Sequence, residues 1–420
     1  WQSLDEVYDK EAAASQDDQQ RVELWGKRAQ LNSEILGKTD DAIDLWYQVL
    51  DVLGDNLIAL QNLEVLFERC ERWTDVAEVV ERQVPLAAED VDLHLETYRK
   101  LGRIYRDKLE DNERSLDYWR NAHDVVPTDL ETLRAIEALD EVLDNPDDLA
   151  EILREILQSN QLNLEDQLAC AVKLAGVLDN LGRVDDTINI WLYVVQLDAT
   201  HAQALNELER LYESEGRWED VVNTLHAKID NADDLETKVA LYKQIAGIWE
   251  LQVADIDQAA AAYQAILDLD ASRHDVFATL EELYMNHERW QELLSAYVER
   301  ADIVDDAALR LSLLERGAKI AEEKLQQPQM AFVVLQSAIA ENWKNADFMA
   351  ELQRLAEATG SWGELVGQFE GMIAQATSPA DVLALHNIVA RWYFHHLNDN
   401  EASWNHFAFV LDQDPKNLDA

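Results

Sequence analysis

The chain has 420 residues, and its 35 lysines and arginines against 84 aspartates and glutamates leave a formal charge of −49. A surface so acidic repels a phosphate backbone and excludes a DNA- or RNA-binding role for the surface as a whole, while 48% apolar residues exclude a disordered acidic tail. Only 13 glycines and 6 prolines occur, too few for a fold of tight turns, and no apolar run approaches the roughly 20 residues of a membrane-crossing helix, so no membrane insertion is expected.

In chain order, the sequence repeats from its first residue. Trp1, Trp73, Trp218, Trp290 and Trp362 each stand three residues before an aliphatic partner: Leu4, Val76, Val221, Leu293 and Leu365. The copy missing between Trp73 and Trp218 falls at Asn145-Pro146-Asp147-Asp148-Leu149, where proline replaces tryptophan. A second series runs through Trp46, Trp119, Trp191, Tyr263, Leu335 and Phe407, and a third, of small residues, through Ala29, Gly102, Ala175, Ala246, Ala318 and Ala390. All three hold a period of about 72 residues, which divides the chain into modules 1–72, 73–145, 146–217, 218–289, 290–361 and 362–420, the last incomplete.

Inside a module the apolar positions follow a helical period. Tyr98, Leu101, Ile104, Tyr105 and Leu109 form one stripe, and Leu116, Trp119, Ala122 and Val126 the next; Leu205, Leu208, Leu211 and Tyr212 repeat the pattern. Breakers fall between stripes at Asp111-Asn112, Pro127-Thr128-Asp129, Asp144-Asn145-Pro146, Pro328 and Asp414-Pro415. The aspartates and Thr128 suit N-caps, and proline suits a first helical turn. Four helices of about 14 residues fill each module as two hairpins, which predicts an all-α chain. Opening at a module's first helix, the chain is expected to stop after the third helix of the sixth. Because it begins on Trp1, its native start is expected to lie outside this sequence, and the compartment stays unassigned with the cytoplasm as default.

A hairpin of about 36 residues, with Leu101-Gly102-Arg103-Ile104-Tyr105 followed by Leu116, Trp119, Ala122 and Pro127, resembles the tetratricopeptide repeat, with one residue inserted between its helices. Leu205 to Leu225 resembles it too, through Leu205, Leu208, Leu211-Tyr212, Gly216-Arg217-Trp218 and Val221-Val222. The resemblance covers nearly the whole chain. It implies a right-handed alpha-alpha superhelix of about twelve helical hairpins, a single solenoid over 1–420 in which each hairpin covers the apolar stripe of the next. It also implies that the recurring tryptophans, with Trp249 at the register of Tyr105, pack between helices.

Further, the resemblance implies a concave face lined by the leading helix of each hairpin. Around Gly102 the inward positions are Arg99, Arg103 and Arg106, and the equivalent frame around Glu137 adds Arg134. Four guanidiniums on one face suit a carboxylate or phosphate and resemble the basic clamp by which chaperone-binding members hold a peptide C-terminus, although that clamp's asparagines are absent. The alternative is local pairing with Glu96, Asp107 and Glu110. A second departure replaces the usual small residue with Glu64, Glu137, Glu209, Glu281 and Gln353; Arg72, Arg217 and Arg289 follow eight residues later in three copies, Asn145 and Ser361 in the other two. This spacing predicts a repeated Glu–Arg contact across the turn.

No catalytic constellation, phosphate loop or metal motif is present, so neither enzyme chemistry nor a cofactor is expected. His386, His395, His396 and His406 cluster late, yet 386 and 395 point to opposite sides of one helix and do not make a metal site. Asp144 to Asp148 lacks the spacing of a calcium loop, and Cys70 and Cys170 read as small buried hydrophobes. The expected function is a non-catalytic scaffold for protein or peptide partners, with basic segments favoured. The alternatives are a regulatory or recruiting arm of a larger enzyme and end-to-end self-association. An RNA-binding reading from the placement of Trp46, Trp119 and Trp191 is opposed by the charge.

Overall fold

The computed structural model describes residues 1–415, and these are helical with no strand. The first helices of the modules are Gln2–Ala14, Trp73–Ala87, Pro146–Gln158, Trp218–Asn231, Trp290–Ile303 and Trp362–Gln375. The second are Asp18–Leu31, Val91–Asp107, Leu164–Asn180, Leu235–Ile248, Ala307–Glu323 and Pro379–Trp392. The third are Thr39–Leu53, Asn112–Val125, Val184–Leu197, Ile256–Leu269, the pair Pro328–Gln336 and Ile339–Asn342, and Asn400–Gln413. The fourth are Leu57–Arg69, Leu130–Val142, Ala202–Ser214, His274–Asn286 and Ala346–Thr359. The expected four-helix plan thus holds through the third helix of module six. The interruption in module five falls at Ser337, whose hydroxyl donates to the Val334 carbonyl at 2.7 Å and competes with the helical ladder.

The chain divides into two compact units, Trp1–Lys228 and Ile229–Ala420, with the boundary inside the helix Trp218–Asn231. Each is an all-α stack of helical hairpins, in which the second helix of a module pairs with the third and the fourth with the first helix of the next. Caps fall largely where the breakers predicted. Asp111 accepts from the Arg114 amide at 3.0 Å and Asp129 from the Thr132 amide at 2.8 Å, while Pro146 and Pro328 open their helices. Thr128 does not cap; Asp129 takes that place one residue later.

Two turn types account for the inserted residue. In five modules the turn between second and third helices closes by an amide reaching back six residues: Lys38 to Asn32, Asp111 to Tyr105, Asp255 to Trp249, Gln327 to Ala321 and Asp399 to Tyr393, at 2.8–3.0 Å. The preceding residue in each is left-handed, Gly37, Glu110, Ala254, Gln326 and Asn398 with φ of 54–65°. Module three lacks the insertion and closes one residue tighter, from the Arg183 amide to the Leu178 carbonyl, over Gly182.

The small series meets the second aromatic series inside the hairpin at Gly102 and Trp119. Ala29, Gly102, Ala175, Ala246, Ala318 and Ala390 are all buried, as are Trp46, Trp119, Trp191, Tyr263 and Leu335. At Gly102 the approach leaves no room for a methyl group. An added Cβ would lie 2.7 Å from Cδ1 and Cε2 of the Trp119 indole, and Ser115 Oγ donates to the Gly102 carbonyl at 2.8 Å. The first aromatic series is less deeply buried, although Trp73 packs against the core and only Trp1 departs clearly from the expected packing. Trp362 is buried, but Trp73, Trp218 and Trp290 are half-buried, and Trp1 is 70% exposed. Lysine ammonium groups cover two of the rings, Lys108 over Trp73 at 4.6 Å and Lys324 over Trp290 at 4.8 Å.

Gly102→Ala tests the hairpin contact. Alanine is the better helix former by about 1 kcal/mol, yet the variant is expected to lose about 1–3 kcal/mol through overpacking against Trp119. Urea unfolding checks this; an unchanged or raised midpoint would show that the indole is free to move away.

Candidate binding surface

The helix Val91–Asp107 carries Arg99, Arg103 and Arg106, and Leu130–Val142 carries Arg134. The fold brings Arg99 and Arg103 together over a shared pair of carboxylates. Arg99 pairs with Asp129, with Glu131 at 3.1 Å and with Glu96 at 3.5 Å. Arg103 reaches Glu131 at 2.6 Å and Glu96 at 3.0 Å. Arg106 instead turns to Asp107 at 2.7 Å, and Arg134 to Glu137 at 2.7 Å. Glu96 and Asp107 were legible as local partners; Asp129 and Glu131 come from the next hairpin and were not.

The Glu–Arg contact expected across the turn is replaced by another pattern. Glu64 pairs with Lys100 of the next hairpin and accepts from Gln83 Nε2 at 2.6 Å. Glu137 pairs with Lys173 at 2.6 Å, and Glu281 with Arg316; Glu209 pairs with Lys228. Tyr297, whose phenol burial pushes up to about 12, donates to Glu281 at 2.5 Å. Arg72, Arg217 and Arg289 engage Asp75, Asp220 and Glu292, three residues ahead in the next helix, at 2.5, 2.8 and 3.3 Å. The reason is the turn. An amide bond five residues back folds each arginine over its own helix end, and the guanidiniums of Arg72 and Arg217 lie 4.7 Å from the Phe67 and Tyr212 rings. Glu64 and Glu281, nearly buried, then face the following hairpin.

Similar cross-hairpin pairs recur inside each unit. Arg210 meets Asp179 at 2.9 Å in the first; in the second, Arg310 meets Glu341 and Arg354 meets Glu322, both at 2.6 Å. Many of the few cations are thereby committed within the fold, and the surplus carboxylates remain on the surface.

Two clefts occupy the same register, one per unit. The first, about 360 Å³, lies between Asn112–Val125 and Pro146–Gln158 over Leu130–Val142, and includes Arg120, Asp140, Asp148, Ile152 and Glu155. Two modules later Gln264, Tyr284, Glu292, Ala296 and Glu299 stand at the equivalent positions of a cleft of about 480 Å³. Asp140 is the exception in its register: a fully buried carboxyl where the other fourth helices carry Phe67, Tyr212, Tyr284 and Ala356. Burial pushes its pKa above the usual carboxylate range, while the Asn145 amide and Arg120 oppose the rise.

Cys170 is buried beside the Leu153 carbonyl, and burial pushes its thiol up to about 11. Cys70 departs from expectation: it is exposed, because it is the C-cap residue of Leu57–Arg69 rather than a core position. Among the described residues, no group of three or more His, Cys, Asp or Glu side chains has the arrangement of a metal site, and no helix is long and apolar enough to cross a membrane. The histidines pair across helices rather than along one. His386 and His406 bring their Nδ1 atoms to 2.8 Å, so one ring donates and the other accepts. His386 stacks on Phe409 at 4.2 Å, His406 Nε2 lies 3.6 Å from Glu370, and Tyr393 donates to Glu370 at 2.8 Å. His396 stacks on Trp362 at 3.6 Å.

Residues 204–239, which span the hairpin Ala202–Ser214 and Trp218–Asn231, match the family model of the tetratricopeptide repeat. That hairpin is the segment by which the chain is similar to tetratricopeptide-repeat proteins. The chain's internal period extends that hairpin plan to the modules outside the matched segment. No curated protein sequence matches the chain. Among solved structures, one of Naa15/Naa10 bound to HypK-THB is similar at 15% identity, over 96% of this chain and 67% of that one, with a TM-score of 0.32. A tetratricopeptide repeat protein from Parabacteroides merdae is similar at 14% identity, over 63% and 98%, with a TM-score of 0.28. YrrB, described as a TPR protein with an unusual peptide-binding site, is similar at 13% identity, over 51% and 99%, with a TM-score of 0.27.

The histidine pair carries a pH dependence. Burial first, and the neighbouring His406 second, hold the His386 pKa below the ordinary imidazole value of about 6.5. The unfolded chain therefore takes up this proton before the native one does. The stabilisation is complete above the unfolded pKa and is lost as pH falls through the folded value. Thermal melts from pH 7 to pH 5 are expected to show a smaller acid-induced drop for His386→Phe than for the parent chain; equal drops would mean the pair is not strained by protonation.

Proposed function

We propose that this tetratricopeptide-like protein is a non-catalytic scaffold whose acidic faces hold basic segments of protein partners. The observation that carries the reading is the use of charge in the fold. Lys100, Lys173, Arg210, Arg310, Arg316 and Arg354 are tied to carboxylates of neighbouring hairpins, so the exposed excess is acidic along both units. Such a surface raises the encounter rate with basic partners and makes binding sensitive to salt. The same arrangement would serve a recruiting arm of a larger enzyme. A pocket for an anion at Arg99, Arg103, Arg106 and Arg134 belongs to the proposal as a second element. Its ligand would have to displace Glu96, Asp129 and Glu131 from the first two arginines and Asp107 and Glu137 from the others.

Self-association is favoured by a separate observation. Trp404 is 69% exposed and Phe394 53%, with Phe409 and Leu411 also open in the same module. Light scattering across a dilution series is expected to show a larger species at high concentration that Trp404→Gln/Phe394→Gln reduces; a constant mass would remove this element.

Titration of the full chain with a lysine-rich peptide and with an acidic peptide tests the main reading. The lysine-rich peptide is expected to bind, with affinity falling at least tenfold between 50 and 200 mM salt, and to be indifferent to Arg99→Ala/Arg103→Ala. The acidic peptide is expected to lose its binding in that variant. No binding of the basic peptide at low salt would sink the scaffold reading as stated.

A further inference from the structure

We propose that the cleft over Asp140 is a receptor for one lysine or arginine side chain presented by a partner protein. The inference deepens the reading of the acidic faces as seats for basic segments, and rests on it.

Position 140 is where module two breaks its own rule. In the neighbouring copies a ring at this register stacks with an arginine five residues on, Phe67 with Arg72 and Tyr212 with Arg217. Module two carries aspartate at the ring position, Asn145 at the arginine position and Pro146 in place of tryptophan. The fold closes the same turn, Asn145 amide to Asp140 carbonyl at 2.9 Å, so the backbone needs no carboxylate there. The Asn145 side-chain amide donates to Asp140 Oδ1 at 3.1 Å, and Arg120 reaches the same oxygen at 3.4 Å. Oδ2 accepts no hydrogen bond, although Asp140 is 0% exposed. A buried acceptor left without a donor is destabilising, and a donor arriving from outside would remove that cost.

The cleft has the shape and chemistry for such a donor. Ile136 and Ile152 supply apolar lining for a methylene stem, and Asp124, Asp148, Glu151 and Glu155 line the same cleft. His123 is already turned to Glu155 at 2.7 Å. Arg120 illustrates the recognition from within: its guanidinium bridges Asp148 at 2.6 Å and Asp140. It is an internal competitor for the incoming cation. The cleft at the same register of the second unit keeps Glu292 and Glu299 but has Tyr284 in place of Asp140, and so serves as the built-in control.

The experiment uses the full chain with isoleucine methyls labelled for NMR, and two probes: a blocked pentapeptide with one central lysine among glycines, and its norleucine counterpart. The lysine peptide is expected to shift the Ile136 and Ile152 methyls saturably, and the norleucine peptide to leave them in place. Asp140→Asn, which keeps size and a polar neighbour for Asn145, is expected to weaken this binding at least tenfold. Glu292→Gln is expected to leave it unchanged, and Arg120→Gln to tighten it. Should Asp140→Asn perturb the fold, seen as methyl shifts throughout the first unit, the Arg120→Gln arm decides. Lysine-peptide binding that bypasses these two methyls, or that Asp140→Asn and Glu292→Gln weaken alike, overturns the site while leaving the basic-partner reading intact. Absence of single-lysine peptide binding to the parent chain at low salt overturns the site, and the basic-partner reading falls with it only if the lysine-rich peptide also fails to bind.

Discussion

The structure depends on how closely two helices of a hairpin approach, and that distance is set by a small side chain meeting a large flat one. Where Gly102 stands opposite Trp119 no methyl group fits between them. Ala29, Ala175, Ala246, Ala318 and Ala390 hold the same frame in the other modules. Each buried ring removes about 150–250 Å² from water, a gross gain of about 4–6 kcal/mol at 25 cal/mol per Å². This gain is available only if the backbone opposite is close enough to seal the ring. The turn must therefore deliver the third helix in one register. It does so in two ways, with the wide closure used five times and the tighter closure over Gly182 once.

Charge is arranged on top of this contact rather than in competition with it. Exposed ion pairs contribute little individually, so the cross-hairpin pairs do not hold the stack together as the buried rings do. Their larger effect is on what is left over. By pairing lysines and arginines with carboxylates of neighbouring hairpins, the fold commits scarce cations locally, and the acidic excess set by composition is what remains. The sequence island at Arg99 to Arg134 is the clearest instance: read along the chain it is basic, and in space Arg99 and Arg103 are enclosed by Glu96, Asp129 and Glu131.

Features repeated at fixed spacing were legible before the fold was known. The period, the four helices of a module, the proline starts and the aspartate caps at 111 and 129 all follow from local chemistry and regular recurrence. Contacts between hairpins were not. Glu64 finds Lys100 rather than Arg72, and His386 finds His406 on the next helix, because side-chain direction after a turn is set by left-handed residues such as Glu71 and Asn398. Cys70 was misplaced because one residue at a helix end separates core from surface. Asp140 could have been found from sequence alone, as the single acidic member of a register otherwise filled by Phe67, Tyr212, Tyr284 and Ala356. The signal was there in the departure from the repeat rather than in the repeat itself.

The cross-hairpin ion pairs constrain how such a chain could lengthen in evolution. Glu64 and Lys100, or Glu137 and Lys173, belong to unlike hairpins, one bearing the glutamate and the next the cation. Duplicating or deleting a single hairpin would set like beside like and leave a nearly buried glutamate facing no cation. A change in length that preserves these two pairs proceeds in steps of two hairpins, the same step as the 72-residue period of the sequence.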